Sequence, residues 1–145
     1  MDAEHHKRQR SEVFRDAHRE ILQVIATMST QLDPSKLARD ASEARATLNM
    51  LAGKLTVHLA MEDKALYPRL AGHTSPDVRK LAGRFADEMG GILFAFKEYL
   101  AHWPTPESVQ ADGARFKLET EQIFAALRAR IAKEDNELFP KLDET

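Results

Sequence analysis

The chain has 145 residues, 43% of them hydrophobic and 30% charged, which is enough to bury the core of one domain but not of two. Its 21 basic and 23 acidic side chains nearly balance, which argues against a nucleic-acid partner. No apolar run reaches the roughly 18 residues of a membrane span, and the charged start does not form a signal peptide. We therefore expect a single cytoplasmic domain over residues 1–145. Because the chain has no cysteine, a metal could be bound only by the nitrogen and oxygen atoms of His, Asp or Glu.

Turn chemistry divides the chain into four predicted helices. The first has its apolar residues on one face at helical spacing. Each of the others begins at an N-cap residue followed by proline, at Asp33, Ser75 and Thr105. Short connections make neighbouring helices antiparallel, so the predicted fold class is all-α, an up-down-up-down four-helix bundle. The predicted helices span about 8–31, 34–68, 76–102 and 106–139.

An internal repeat relates the two halves of the chain. "VHLAMEDKALYP" at 57–68 returns as "ARIAKEDNELFP" at 129–140, and "FRDAHREILQVI" in the first helix aligns with "FADEMGGILFAF" in the third. The halves, about 8–70 and 76–142, therefore predict a bundle with approximate two-fold symmetry. Equivalent side chains should meet in its core.

Four polar residues interrupt the apolar helix faces: His18, His58, Glu62 and Glu134. A single histidine in such a position is usually an ordinary core residue. Here His58 and Glu62 stand one turn apart on the same face. A buried carboxylate is unfavourable unless it is paired, hydrogen-bonded or bound to a metal. The core therefore needs a cation near Glu62 and Glu134.

These segments resemble the hemerythrin-like family, the HHE cation-binding domain, in which a His on helix one and His-x-x-x-Glu on helix two both occur twice. "DAHREI" supplies the first His, "HLAME" with "DKALYP" the second element, and "RIAKEDNELFP" the fourth helix. The resemblance spans nearly the whole chain. It implies a non-haem di-iron centre, here incomplete or mononuclear, in a protein that binds oxygen, senses oxygen or nitric oxide, or handles iron. Carried over by position, the implied ligands are His18, His58, Glu62 and Glu134.

Two positions depart from the family pattern. Met89 occupies the histidine position of helix three, and Arg130 that of helix four. One interpretation is a mononuclear site of the four remaining ligands for iron, zinc or manganese, with an open position for water or a small diatomic ligand. The other is that Arg130 pairs with Glu134 and reaches Glu62, so that it replaces the metal charge in a metal-free module that binds another protein.

Three further residues are candidates for a pocket beside the site. Gly90 and Gly91 each cost about 1 kcal/mol in a helix relative to Ala. We favour close helix packing as the reason; the alternative is room for a ligand, even a haem with His18 or Met89 as axial ligand. Tyr67 is expected to close the bundle end, with a redox role as the alternative.

The function predicted from the sequence is a metal-binding sensor or a protein that handles oxygen, nitric oxide or iron. A metal-free protein-interaction module is the alternative. Catalysis is not predicted, because no paired acid and base accompany the implied ligands. Peroxide consumption at an open metal site is the third hypothesis.

Overall fold

The computed structural model describes residues 9–145, and this part of the chain forms helices and no strand. The first half contains, in order, α1 (Glu12–Ser29), α2 (Pro34–Arg39), α3 (Ser42–Met61), the π-helical turn π1 (Glu62–Leu66) and α4 (Tyr67–Ala71). The second half contains α5 (Pro76–His102), α6 (Pro106–Ala111), α7 (Gly113–Lys133), the π-helical turn π2 (Glu134–Leu138) and α8 (Phe139–Asp143). The predicted all-α class is confirmed.

Each half runs through the same series of elements. A long helix is followed by a helix of 6 residues, a second long helix, a π-helical turn of 5 residues and a short α-helix of 5 residues. The sequence repeat is therefore also a repeat of local structure. It places Glu62 and Glu134 at the first position of π1 and π2.

The three predicted helix starts are present. The side chains of Asp33, Ser75 and Thr105 accept hydrogen bonds from backbone N–H groups of the first turn of α2, α5 and α6. At α6 the bond is reciprocal, because Ser108 Oγ also accepts from the Thr105 N–H at 3.2 Å. These caps satisfy N–H groups that have no partner within the helix.

The predicted helices over 34–68 and 106–139 are not continuous: the described residues contain eight α-helices, of which α1, α3, α5 and α7 are the long ones, and two π-helical turns. Asp40 Oδ1 accepts from the Ser42 N–H at 2.9 Å, and Asp112 Oδ1 accepts from the Arg115 N–H at 3.2 Å. Asp112 thus ends α6 and caps α7, whereas Asp40 ends α2 and bonds to the first N–H of α3 from one residue before its N-cap, Ala41. The predicted start of the first helix near residue 8 lies outside the described residues.

Two apolar clusters fill the core. The larger one joins α1, α3, α5 and α7 around side chains such as Ile25, Leu48 and Phe116. The smaller one lies around Phe14 and Phe85, with side chains from α4 and α8. Between residues 9 and 145, none of the helices is both long and apolar enough to cross a membrane.

Candidate metal centre

The four predicted ligand residues converge in the core. His18 comes from α1 and His58 from α3, while Glu62 and Glu134 begin π1 and π2. One ligand atom of each side chain lies within 4.8 Å of those of the other three, and all four residues are buried. Residues separated by more than a hundred positions thus form one compact cluster.

The two π-helical turns help to place the carboxylates. The N–H groups of Tyr67 and Phe139 donate to the carbonyls of Glu62 and Glu134, five residues earlier, instead of four. Pro68 and Pro140 follow directly, and a proline within a helix disfavours α-helical geometry in the turn before it. The "LYP" and "LFP" sequences therefore account for a local widening of the helix, a feature frequent at functional sites.

His18 lies between two carboxylates. Its Nε2 is 3.0 Å from Glu134 Oε1, and its Nδ1 is 2.8 Å from Asp135 Oδ1. The ring of Phe139 stacks on the His18 ring with centroids 5.1 Å apart. Sequence reasoning missed Asp135, although its place directly after Glu134 in the repeated "ED" was a usable signal.

His58 and Glu62 have little compensation for their burial. His58 Nε2 lies 3.1 Å from Glu62 Oε2, but no described residue makes an aligned hydrogen bond to either ring nitrogen or to either Glu62 carboxylate oxygen. Burial lowers the pKa of His58, which favours the neutral, metal-binding imidazole. Burial, followed by the charge of Glu134, raises the pKa of Glu62 to about 9. The two side chains therefore lack a nearby positive charge that would compensate the burial of an ionised Glu62.

Arg130 is directed mainly towards α5. Its Nη1 donates to Glu88 Oε1 at 3.0 Å, its Nη2 donates to the Phe85 carbonyl, and its Cζ lies 4.3 Å from the centroid of the Phe85 ring. Arg130 Nε is 3.6 Å from Glu134 Oε2, close enough for an ion pair but not a hydrogen bond. Its charge also opposes the upward pKa shift of Glu62. Arg130 neutralises the two carboxylates only in part.

A cavity of about 10 Å³ lies among these side chains. It is bordered by the four candidate ligands, by Met89 and Arg130, and by apolar residues of the larger cluster. This volume corresponds to about one water molecule or one ion. A haem does not fit in it.

The predicted packing role of Gly90 and Gly91 is wrong. Both residues are exposed, and a Cβ atom added to either would meet no other atom within 4 Å. Gly91 borders a surface groove beside Arg130, and neither glycine lines the central cavity. Tyr67 is half-buried next to the smaller cluster; its hydroxyl has no aligned partner among the described residues, and burial raises its pKa. Its redox role stays a prediction.

A helical bundle with a buried cluster of two histidines and two glutamates defines a candidate metalloprotein with nitrogen and oxygen ligands. The family model of the hemerythrin HHE cation binding domain matches residues 9–142. The chain therefore belongs to the hemerythrin HHE family, whose domain implies metal binding. No curated protein and no solved structure matches the chain.

Proposed function

We propose that this protein binds one metal ion, iron in the first place, between His18, His58, Glu62 and Glu134, and uses it to sense or handle oxygen, nitric oxide or iron. The supporting observation is the set of buried polar atoms that lack a hydrogen-bond partner among the described residues: both Glu62 oxygens, Glu134 Oε2 and the two ring nitrogens of His58, of which one is an acceptor in the neutral ring. Leaving such groups without a partner is unfavourable by about 1 to 3 kcal/mol each, and more when they are charged. A cation would satisfy the carboxylate oxygens and the unprotonated nitrogen of His58 together.

The donor set restricts the kind of cation. Imidazole nitrogens and carboxylate oxygens suit iron, zinc and manganese, whereas thiolates are absent from this chain. Two carboxylates facing a single partly shared guanidinium also leave room for a positive charge. The residues present therefore fit a divalent transition metal.

One ion fits this site better than two. The cavity has about the volume of one ion. In the second half the thioether of Met89 is a poor ligand for a hard divalent cation, and the guanidinium of Arg130 repels one. We infer a mononuclear centre supported by one carboxylate from each half.

The surroundings suit a small ligand. A bound metal ion would supply a coordination position for a diatomic molecule. The apolar clusters on either side exclude bulk water, which strengthens electrostatic interactions at the site. Outside the cavity, a groove between α1 and α3 reaches His58 past the small residues Ala17 and Gly53. His58 lines both this groove and the central cavity, so the groove is a candidate approach for such a molecule.

Metal content measured by elemental mass spectrometry on untagged protein tests the proposal. We expect about one metal ion per chain, lost in His58→Ala and retained in His102→Ala, which changes a half-exposed histidine at the end of α5. An absorption spectrum of the same sample identifies non-haem iron or haem. A metal-free wild-type protein that stays folded in chelator would contradict the proposal and favour the interaction module, with Arg130 as its structural cation. Peroxide consumption stays a lesser hypothesis, since the titratable groups at the cavity are the proposed ligands themselves.

A further inference from the structure

Asp135, which is not one of the four candidate ligands, lies at hydrogen-bond distance from one of them, His18. Its Oδ1 lies 2.8 Å from His18 Nδ1, while the opposite ring nitrogen, Nε2, faces Glu134. The His18 side chain is 2% exposed and that of Asp135 30%, so Asp135 lies between the buried ring and solvent. Asp135 thus contacts the ring nitrogen of His18 that faces away from the proposed metal site.

Each ring nitrogen of His18 faces a carboxylate, Asp135 at Nδ1 and Glu134 at Nε2, so the place of the cation selects the nitrogen that carries the proton. A neutral imidazole carries its proton on one nitrogen and a lone pair on the other. A cation bound between Nε2 and Glu134 would take the Nε2 lone pair, so the proton of the neutral ring would be on Nδ1, beside Asp135. A carboxylate in this position also fixes the plane of the ring.

Arg15, which neighbours Asp135, takes part in a chain of contacts between α8 and the start of α1. The N–H and Oγ of Ser11 donate to the two carboxylate oxygens of Asp143 at 2.9 and 2.8 Å. Arg15 Nε donates to Ser11 Oγ at 2.9 Å, and Arg15 Nη1 lies 4.0 Å from Asp135 Oδ1. A positive charge thus lies within ion-pair distance of the Asp135 carboxylate on the side away from the cluster.

The repeat contains a natural counterpart that lacks this arrangement. Asp63 follows Glu62 as Asp135 follows Glu134, but the residue equivalent to His18 in the other half is Met89, which has no N–H to donate. The side chain of Asp63 is exposed and makes no hydrogen bond or ion pair with any described residue. The same residue type in the same element thus has a partner in only one half.

We propose that Asp135 is a positioning residue of the metal centre, which holds His18 with its proton on Nδ1 and its Nε2 lone pair towards the cation. This inference rests on the proposed function. Carboxylates that orient a metal-bound histidine typically contribute about 10- to 100-fold to metal affinity. Asp63 should contribute nothing comparable.

Calorimetric titration of the metal-free protein with Zn²⁺ tests the inference. We expect Asp135→Ala to weaken Zn²⁺ binding about 10- to 100-fold, and Asp63→Ala to leave it unchanged. Asp135→Asn keeps the shape of the side chain and an acceptor oxygen, so it should lose about tenfold at most. It also provides the measurement if the alanine variant does not fold.

Nitrogen-15 NMR of the Zn²⁺-loaded protein separates orientation from general destabilisation. The wild type and Asp63→Ala should show a hydrogen-bonded His18 Nδ1–H, and Asp135→Ala should not. Equal Zn²⁺ affinities of wild type and Asp135→Ala would overturn the positioning role but leave the metal site intact. A wild-type protein that binds no Zn²⁺, iron or manganese would overturn the site and this inference together.

Discussion

The two halves of the molecule share a backbone pattern but not a chemistry. Both contain a π-helical turn that begins at a buried glutamate and is followed by an aromatic residue and proline. The first half adds His18 and His58 to its glutamate, whereas the second has Met89 and Arg130 in their places. The repeated structure is thus maintained without the repeated ligands.

The difference also concerns charge. Glu134 is within ion-pair distance of His18 and Arg130, whereas the ion-pair contact of Glu62 among the described residues is with His58, whose ring is not aligned for a hydrogen bond. Arg130 in turn is anchored by the backbone and ring of Phe85. The apolar core and the π-helical turns are thus present in both halves, although the second half lacks the two histidines.

Restoring the two missing histidines of the second half should have the largest effect, on the number of metal ions bound per chain. The double substitution Met89→His with Arg130→His recreates the family's repeated pattern, and we expect the metal content to rise from about one to about two ions per chain. Removal of the Arg130 charge and addition of two imidazoles both favour a second cation. Elemental mass spectrometry of the double variant and of each single variant measures the change. An unchanged content in the double variant would show that the missing histidines are not what limits the site to one ion.

Removing Arg130 alone should weaken the fold. Arg130→Ala leaves Glu134 with less compensation and the Phe85 carbonyl without its buried donor, so we expect the free energy of unfolding to fall by about 3 to 5 kcal/mol in chelator. Urea denaturation measures this. Arg128→Ala, an exposed change on the same helix, is the control and should stay within about 0.5 kcal/mol. Equal stabilities would mean that Arg130 compensates no buried charge.

Glu62 should make the metal-free protein sensitive to alkali. Burial and Glu134 raise its folded-state pKa from 4.5 to about 9. Between about pH 5 and pH 9 the folded state keeps a proton that the unfolded chain has released, so the free energy of unfolding should fall as the pH rises. Denaturation in chelator at several pH values measures the slope.

The variant Glu62→Gln tests whether the pH dependence of the free energy of unfolding comes from Glu62. Glutamine stays neutral, so the variant should lose most of the pH dependence and be more stable than the wild type near pH 9, while it binds metal poorly. Glu137→Gln, an exposed change in π2, should behave like the wild type. A wild-type slope in Glu62→Gln would assign the proton to another group.

Replacing Gly90 or Gly91 of α5 by alanine should give the smallest effect, a small gain in stability. At positions equivalent to Arg19 and Glu20 of α1, α5 has Gly90 and Gly91, both exposed. Alanine at either position meets no neighbouring atom, so each substitution should stabilise the protein by about 0.5 to 1 kcal/mol. Thermal denaturation measures it.

Gly113→Ala is the contrasting variant. Its added Cβ would lie 3.2 Å from Leu37 Cβ and 3.3 Å from the Pro34 carbonyl oxygen, so it should destabilise the protein. If Gly90→Ala or Gly91→Ala proved destabilising instead, the glycines would be needed for a conformation or contact that the described structure does not contain.

The sequence by itself determined the helix starts at Asp33, Ser75 and Thr105, the repeat, and the residues at which the polar cluster forms. These features follow from local chemistry: a cap reaches only two or three residues ahead, and helical spacing decides which side chains share a face. The convergence of His18, His58, Glu62 and Glu134 followed from the family pattern carried by that spacing.

Only the tertiary structure decided which partners these residues have. His18 and Asp135 are 117 positions apart, and Arg130 donates to a carbonyl 45 positions away on another helix. Such contacts depend on the rotation of each helix about its axis, which packing of the whole core sets and which the π-helical turns alter. The same packing left Gly90 and Gly91 exposed. The sequence pattern of one helix could not predict this, because it does not show which helix packs against each of its faces.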